Sequence, residues 1–164
     1  MTLYHGGTDV VVRPELRDTG RFRDFGKAFY LTSSRYQAER WARIQCGRRN
    51  ADKGIVNEYV CADLDKVPGL KVKRFDGADE EWLDSVVACR RGRDVFEAYD
   101  VVVGPVADDN VYATIRLFEL GTYTAEEALK RLLTERLYDQ VALKSPAALA
   151  ECKFVDHSEV EAMS

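Results

Sequence analysis

The sequence predicts an α+β fold with a mixed, mostly antiparallel β-sheet that is flanked by helices. Short apolar runs typical of strands are interspersed with segments of helical periodicity, and the connections between them are short. No βαβ regularity and no internal repeat is visible along the chain. The length of 164 residues, with 46% hydrophobic and 32% charged residues, fits one globular domain over residues 1–164.

The sequence argues against a membrane-spanning or a secreted protein. No apolar run approaches the roughly 18 residues of a membrane span, and the first residues lack the features of a signal peptide. We therefore expect a cytoplasmic protein that contacts no membrane. The net charge is −4, but residues 1–49 carry a balance of +5 and the remainder one of −9. A basic segment in an acidic protein is either a solvated face or a site for a small phosphorylated ligand.

The cysteines and histidines predict neither a disulfide nor a metal site. A chain of this length builds a core without disulfides, and no CxxC pair occurs, so we expect buried free thiols. The only two histidines, His5 and His157, have none of the local spacing of zinc ligands. The four cysteines are Cys46, Cys61, Cys89 and Cys152.

In the first part of the chain, turn residues separate three predicted strands. Residues 2–4 favour a strand that leads into the turn His5-Gly6-Gly7, which places His5 at its end. A run of valines over 10–12 favours a second strand, stopped by Pro14. Residues 28–32 favour a third strand, after a strongly charged connection.

A helix is expected next, over residues 35–46. Ser34 with Gln37 three residues later is typical of an N-cap and capping box. Helical spacing brings one set of side chains to a single face, which turns Trp41 toward the interior or a cleft. The residues of this face are Ala38, Trp41, Ala42 and Gln45.

The rest of the chain alternates predicted strands and helices. Periodicity two indicates the strands, and helical spacing with capping residues indicates the helices. The strands are expected over 55–62, 70–75, 99–103, 140–143 and 153–155, and the helices over 80–89, 110–120, 124–137 and 146–152. In the helix over 124–137, Thr124 is the expected cap and the apolar stripe is Ala128, Leu129, Leu132 and Leu133.

Five short motifs occur in order along the chain. They are Tyr4-His5-Gly6, Asp24-Phe25-Gly26 with Phe29-Tyr30, Gln37-Ala38 with Trp41-Ala42, the segment from Gly104 to Asp109, and Asp139-Gln140. Together they resemble the ADP-ribosyltransferase superfamily, in its poly-ADP-ribose-polymerase and diphtheria-toxin-like branch. The chain is still more similar to a bacterial family of unknown function grouped with these transferases, in which the same motifs recur in this order.

The resemblance implies that NAD is the substrate. His5 would hydrogen-bond a ribose hydroxyl, and Tyr30 and Trp41, eleven residues apart, would stack on the nicotinamide ring. Gly6 would bring its main-chain N–H and C=O to the carboxamide, and Phe29 belongs to the same NAD-binding motif. Arginines suit the pyrophosphate because they bind it bidentately. The basic candidates are Arg13, Arg17, Arg21, Arg23 and Lys27, each with a solvated surface position as its alternative.

The family motif has three positions, which correspond here to His5, Tyr30 and Gln140, and the third departs from the family pattern. The family usually has a glutamate where this chain has Gln140, which keeps a hydrogen bond and loses the charge. The loss would cost about 3 kcal/mol of transition-state stabilisation, unless Asp108, Asp109 or Asp139 substitutes. Asp139 faces the opposite way on a strand. Asp109 is thus the preferred auxiliary acid, with a helix N-cap as the alternative role.

The resemblance implies a toxin-type ADP-ribosyltransferase that modifies a macromolecule inside a bacterial cell. The negative net charge favours a protein acceptor over a nucleic acid, and a cognate antitoxin protein is an expected partner. An NAD glycohydrolase is the near variant. The alternatives are a catalytically silent module that binds NAD, ADP-ribose or a protein, and an unrelated hydrolase that pairs His5 with Ser33 or Cys46.

Overall fold

The protein has an α+β fold, seen in a computed structural model that describes residues 1–17, 22–107, 109–132 and 137–162, without the side chains of Asp109 and Asn110. The strands are β1 (Thr2–Gly7), β2 (Phe29–Leu31), β3 (Lys53–Cys61), β4 (Val72–Arg74), β5 (Val101–Pro105), β6 (Asp139–Leu143) and β7 (Cys152–Glu161). The α-helices are α1 (Arg35–Arg49), α2 (Glu80–Arg90), α3 (Asp109–Glu119), α4 (Ala125–Leu132) and α5 (Pro146–Leu149).

The strands form two sheets that meet at one edge. The first sheet has the order β1-β3-β7 and is antiparallel throughout. The second has the order β2-β6-β5-β4, in which only the β4–β5 pair is parallel. Tyr4 and Thr32 exchange two main-chain hydrogen bonds of 2.9 Å, and this bridge joins β1 to the end of β2.

Helix α1 covers the first sheet. Its N-cap is confirmed, because the Ser34 hydroxyl accepts a hydrogen bond from the Gln37 N–H at 3.2 Å. The helix ends later than predicted, at Arg49, where Asn50 adopts a left-handed conformation with φ of 52°. Its buried face is shifted by one residue from the expected one, so that Trp41 and Gln45 are half-buried. The buried residues are Gln37, Ala38, Ala42 and Cys46.

The second sheet separates two apolar clusters. Side chains of neighbouring strand residues face opposite ways, so Phe29 packs in one cluster and Tyr30 in the other. The Phe29 cluster includes Leu3, Leu31, Tyr59, Val101 and Leu143. The Tyr30 cluster includes the buried face of α2, which follows the predicted spacing, and contains Trp82, Leu83, Val86 and Val87 with Phe25, Val102 and Ile115.

The predicted strand over residues 10–12 is wrong. The Val11 N–H donates to the Asn57 carboxamide oxygen at 2.9 Å, and the Val11 carbonyl accepts from the Tyr59 hydroxyl at 2.6 Å. Both edges of β3 are already paired with β1 and β7, so the segment crosses β3 on side-chain hydrogen bonds and cannot add a strand there.

The prediction of four free thiols is also wrong for two of the cysteines. Cys61 and Cys152 lie directly opposite each other in the β3–β7 pairing and form a disulfide, with Cα atoms 4.1 Å apart. Because the two cysteines are 91 residues apart in the sequence, no local pattern indicates that they pair. Cys46 and Cys89 are free and buried, as expected.

Several element boundaries also differ from the prediction. Helix α5 ends at Leu149 and β7 begins at Cys152, within the helix predicted over 146–152. Strand β7 is longer than the predicted strand over 153–155. Most of its residues face solvent, so its second half lacks the apolar residues by which a strand is recognised in the sequence. The predicted cap Thr124 accepts a hydrogen bond from the Glu127 N–H at 3.2 Å. Leu133 and the chain up to residue 136 lie outside the described residues, and Leu137 is not helical.

Candidate functional site

His5 lies within β1 where the two sheets meet. The predicted turn at His5-Gly6-Gly7 is wrong, because these residues continue the pairing of β1 with β3. The His5 Nδ1 is 2.8 Å from the Tyr30 carbonyl oxygen, which can only accept, so Nδ1 carries the proton. The imidazole stacks on Phe29 with ring centroids 4.3 Å apart. Burial lowers the pKa of His5, the hydrogen bond to Tyr30 opposes that shift, and the charge of Arg23 adds to it. A neutral ring with this tautomer leaves Nε2 as a hydrogen-bond acceptor.

Tyr30 is a buried residue whose hydroxyl is engaged within the protein. The hydroxyl donates to the Gly26 carbonyl at 2.5 Å and accepts from the Phe25 N–H at 3.1 Å. The residue is only 9% exposed. Burial, and then the nearby Asp24 carboxylate, raise the pKa of Tyr30 well above its ordinary value. Tyr30 therefore stays protonated and fixes the turn that precedes β2.

A buried ion pair holds the same turn from the other side. The Lys144 ammonium donates to the Phe25 carbonyl at 2.7 Å, to the Lys27 carbonyl at 3.0 Å and to Asp94 at 2.8 Å. Gly26 has φ of 79°, and a Cβ there would collide with the Asp94 carboxylate. The turn thus requires glycine for both its conformation and its close approach to Asp94.

Gln140 on β6 is buried beside a carboxylate. It faces the same side of the second sheet as Tyr30, because Tyr30 pairs with Ala142, two residues along β6. The Gln140 Nε2 donates to Asp24 Oδ2 at 3.0 Å and to the Pro105 carbonyl at 3.1 Å. The exposed fraction of Gln140 is 3%.

Asp24 is the residue of this site that the sequence analysis quoted in a motif but gave no role. Its Oδ1 accepts from Arg90 at 2.8 Å (Nε) and 2.7 Å (Nη2), and its Oδ2 also accepts from the Ala107 N–H at 3.2 Å. The position of Asp24 immediately before Phe25-Gly26 was the available signal. It places a carboxylate, paired with Arg90, beside Gln140, the position at which the resemblance expects a negative charge.

Arg23 is the predicted phosphate-binding residue that the structure brings to His5 and Tyr30. It is half-buried, and its guanidinium carbon lies 5.8 Å from the centre of the Tyr30 ring. Arg13 instead lines a separate groove of about 700 Å³ between the 12–16 segment, α5 and the start of β7. Arg17 is exposed and lies 3.5 Å from Glu15. Lys27 is exposed and Arg21 lies outside the described residues.

Gly6 has a packing position that needs no ligand. A Cβ on Gly6 would collide with the Ala38 carbonyl oxygen and lie 2.9 Å from the Ala42 nitrogen, so β1 and α1 approach too closely for another residue. Trp41 lies on α1 beside this contact and is half-buried. The ring contacts of the described residues do not pair it with Tyr30.

The acidic residues proposed beside Gln140 lie elsewhere or cannot be placed. Asp139 faces away, as expected, and accepts hydrogen bonds from the Ser33 hydroxyl at 2.6 Å and the Ser33 N–H at 3.2 Å. Asp109 is the first residue of α3, but its side chain and the whole of Asp108 lie outside the described residues. Within the described chain, His5 makes no hydrogen bond to a serine or cysteine side chain, and the Ser33 hydroxyl instead donates to Asp139.

Across residues 1–17, 22–107, 109–132 and 137–162, no cluster of three or more His, Cys, Asp or Glu side chains could hold a metal ion. In the same part of the chain, no helix is long and apolar enough to cross a membrane.

Comparison with known proteins gives a family and no function. The model of one family, described as protein of unknown function (DUF3990), matches residues 1–154. Neither the curated proteins nor the solved structures include a match to the chain. The match includes every residue of the site around His5, Tyr30 and Gln140, and the chain therefore belongs to the DUF3990 family.

Proposed function

We propose that this protein is an NAD-dependent ADP-ribosyltransferase of the bacterial toxin type. It would break the bond between nicotinamide and C1′ of the ribose, and nicotinamide would leave with the bonding electron pair. The acceptor nucleophile would then bond to C1′ and lose its proton. The transition state resembles an oxocarbenium ion, as in glycoside hydrolysis, so the protein must orient the ribose and stabilise positive charge.

One observation carries this proposal. His5, Tyr30 and Gln140 are far apart in the sequence, yet they lie on strands that are neighbours in the fold. The His5 ring is hydrogen-bonded to the Tyr30 carbonyl, and the Tyr30 and Gln140 side chains share one face of the second sheet. These are the three positions at which the motifs resemble ADP-ribosyltransferases. A chance resemblance of short motifs would not require the three positions to fall on neighbouring strands.

Each group at this junction suits one task of the reaction. The His5 Nε2 would accept a hydrogen bond from a ribose hydroxyl, since Nδ1 is held by the Tyr30 carbonyl. Arg23 would bind the pyrophosphate. The Asp24 carboxylate beside Gln140 would favour the developing positive charge through electrostatic preorganisation.

A second candidate function is a silent module that binds NAD, ADP-ribose or a protein. It is favoured by the burial of Tyr30 and Gln140, at 9% and 3% exposure, and by the internal hydrogen bonds of the Tyr30 hydroxyl. Stacking of nicotinamide on Tyr30 would require Arg23 to move from the ring. An NAD glycohydrolase would differ from the transferase only in using water as the acceptor.

The proposal includes a location and partners. NAD and the acceptor would be met in the cytoplasm, and a cognate antitoxin would bind the toxin there. A protein acceptor is favoured over a nucleic acid because the net charge is −4. Transfer from NAD labelled on its adenylate group into a bacterial lysate, followed by protease or nuclease digestion, would identify the class of acceptor.

The first experiment measures nicotinamide release from NAD by the purified protein. We expect release to fall at least a hundredfold in His5→Ala and to stay within twofold of wild type in His157→Ala, which removes the chain's other, exposed histidine. Both variants should be folded by circular dichroism. Absence of release with thermal protection by NAD would favour the binding module, and absence of both would overturn the NAD-based proposal.

A further inference from the structure

We propose that Asp24 is the carboxylate of this site and that it holds Gln140 with the amide oxygen turned toward the ligand. The inference rests on the proposed function, because it assigns the negative charge that the transferase reaction requires. It concerns the contact between residue 24, in the turn before β2, and residue 140 on β6.

The hydrogen bonds of Gln140 determine which way its carboxamide faces. A primary amide nitrogen has two N–H donors, and both have acceptors here, namely Asp24 Oδ2 at 3.0 Å and the Pro105 carbonyl at 3.1 Å. A flipped carboxamide would bring its oxygen against these two acceptors. The oxygen Oε1 therefore points away from Asp24, and it can accept a hydrogen bond as a carboxylate would.

The same geometry explains why residue 140 is glutamine. A glutamate there would place a carboxylate oxygen about 3 Å from the Asp24 carboxylate and from the Pro105 carbonyl, with no donor between them. Two carboxylates at that distance ionise together only at a large cost, so one would keep a proton. The charge and the hydrogen-bond acceptor have thus been divided between Asp24 and Gln140.

The protein holds Asp24 in place from three sides. Arg90 on α2 binds Oδ1 through two nitrogens, while the Ala107 N–H and Gln140 share Oδ2. Among the described residues, Tyr30 and Cys89 are ionisable groups that also interact electrostatically with this carboxylate. Asp24 acts through Gln140 and through its charge, and it is a positioning residue.

The contact itself can be tested by folding measurements that need no activity. In the folded Gln140→Glu protein the two carboxylates share a proton. At a pH above the ordinary carboxyl pKa the unfolded chain has lost that proton, so the folded state binds more protons than the unfolded state. The urea midpoint of this variant, relative to wild type, should therefore fall as the pH rises from 5 to 8. Gln45→Glu, at a half-buried position of α1, is the matched control and should show no such trend.

The double variant identifies Asp24 as the cause. Asp24→Asn/Gln140→Glu again contains one carboxylate in the pair, and the new amide at position 24 can donate to it, so the pH-dependent loss seen in Gln140→Glu should disappear. A Gln140→Glu profile parallel to wild type, or one that Asp24→Asn leaves unchanged, would overturn the proposed contact. The Gln140→Glu protein retains Asp24 and Arg90, so this test does not depend on the folding of Asp24→Asn alone.

Nicotinamide release then tests the role of Asp24 in the reaction. We expect kcat to fall about a hundredfold in Asp24→Asn, with KM changed less than threefold, because the charge acts mainly on the transition state. The kcat of the double variant should be at least tenfold higher than that of Asp24→Asn. A purely structural role of Asp24 would not produce this recovery. A wild-type protein without release would overturn the proposed function. If the wild type is active and the kcat of Asp24→Asn stays within threefold of it, only the role assigned to Asp24 would be overturned.

Discussion

At the scale of single residues, His5 makes the stability of the folded chain depend on pH. Burial lowers the pKa of His5 below its ordinary value of 6.5, so the unfolded chain takes up a proton near that pH while the folded chain does not. The His5 contribution to the free energy of unfolding is therefore lost as the pH falls below 6.5. Urea titrations from pH 8 to 5 should show this decline in wild type and a flatter profile in His5→Gln.

The control for this measurement is His157→Gln, which changes the exposed histidine of β7. Its pH profile should follow that of wild type. Profiles of equal slope in wild type and His5→Gln would contradict the assigned burial of His5.

The Tyr30 hydroxyl stabilises the turn before β2. Tyr30→Phe leaves the Phe25 N–H and the Gly26 carbonyl without their partner in a buried place. We expect a loss of about 1–3 kcal/mol in the free energy of unfolding, measured by urea denaturation. Tyr36→Phe, at a residue that is 56% exposed, should change it by less than about 0.5 kcal/mol. Equal losses in the two variants would contradict the role assigned to this hydroxyl.

Short motifs in the sequence indicate candidate site residues, whereas no pattern in it indicates the residues that contact them. His5, Tyr30 and Gln140 follow from short motifs, because each motif places one residue at a strand end or on a strand. The Asp24–Arg90 and Lys144–Asp94 pairs join parts of the chain 66 and 50 residues apart. Such contacts are set by tertiary packing, and no local spacing reports them.

At the scale of secondary structure elements, Gly6 determines how closely β1 and α1 pack. Gly6→Ala would push a methyl group into the Ala38 carbonyl and the Ala42 nitrogen, which are helix main chain and cannot move separately. We expect a loss of about 1–3 kcal/mol, the range for overpacking in a core. In Gly47→Ala, on α1, the added methyl group meets no atom within 4 Å. This substitution should stabilise the protein by about 0.5–1 kcal/mol.

Chemical denaturation of the two glycine variants measures both effects in one experiment. Opposite signs are expected, because the same methyl group is added to a contact in one variant and to open space in the other. A Gly6→Ala protein as stable as wild type would mean that α1 can move away from β1. In that case the binding role that the resemblance implies for Gly6 would be the better explanation for glycine at this position.

Local chemistry predicted the helices, whereas strand pairing had to come from the structure. The Ser34 cap and the apolar spacing of Trp82, Leu83 and Val86 are interactions between near neighbours, so α1 and α2 were predicted closely. The valines over 10–12 have strand propensity, but both edges of β3 are occupied. Pairing depends on which edges remain open, and local propensity does not contain that information.

At the scale of the whole molecule, the candidate site lies where the two sheets meet. The Tyr4–Thr32 bridge and the His5–Tyr30 hydrogen bond both connect β1 of the first sheet to β2 of the second. Lys144, the residue after β6, binds the turn before β2, and Asp24 connects this turn to α2 through Arg90. Elements from both halves of the sequence therefore hold the site, which agrees with the family match over residues 1–154.

The Cys61–Cys152 disulfide connects the two halves of the chain and should add measurable stability. Its sequence separation of 91 residues encloses most of the second sheet, so reduction frees a large loop in the unfolded chain. We expect reduction to lower the free energy of unfolding by about 2–4 kcal/mol. The protein should still fold at about 25 °C, because the β3–β7 ladder continues for the length of both strands beyond this pair.

Urea denaturation with and without dithiothreitol tests this expectation, with mass spectrometry to confirm the oxidation state. Cys61→Ala/Cys152→Ala should not respond to reductant, whereas Cys89→Ala, which removes a free buried thiol, should respond as wild type does. A wild-type midpoint that reductant leaves unchanged would contradict the stabilising role of the bridge. Because the cytoplasm keeps thiols reduced, the reduced form is the one to assay when the proposed cytoplasmic activity is tested.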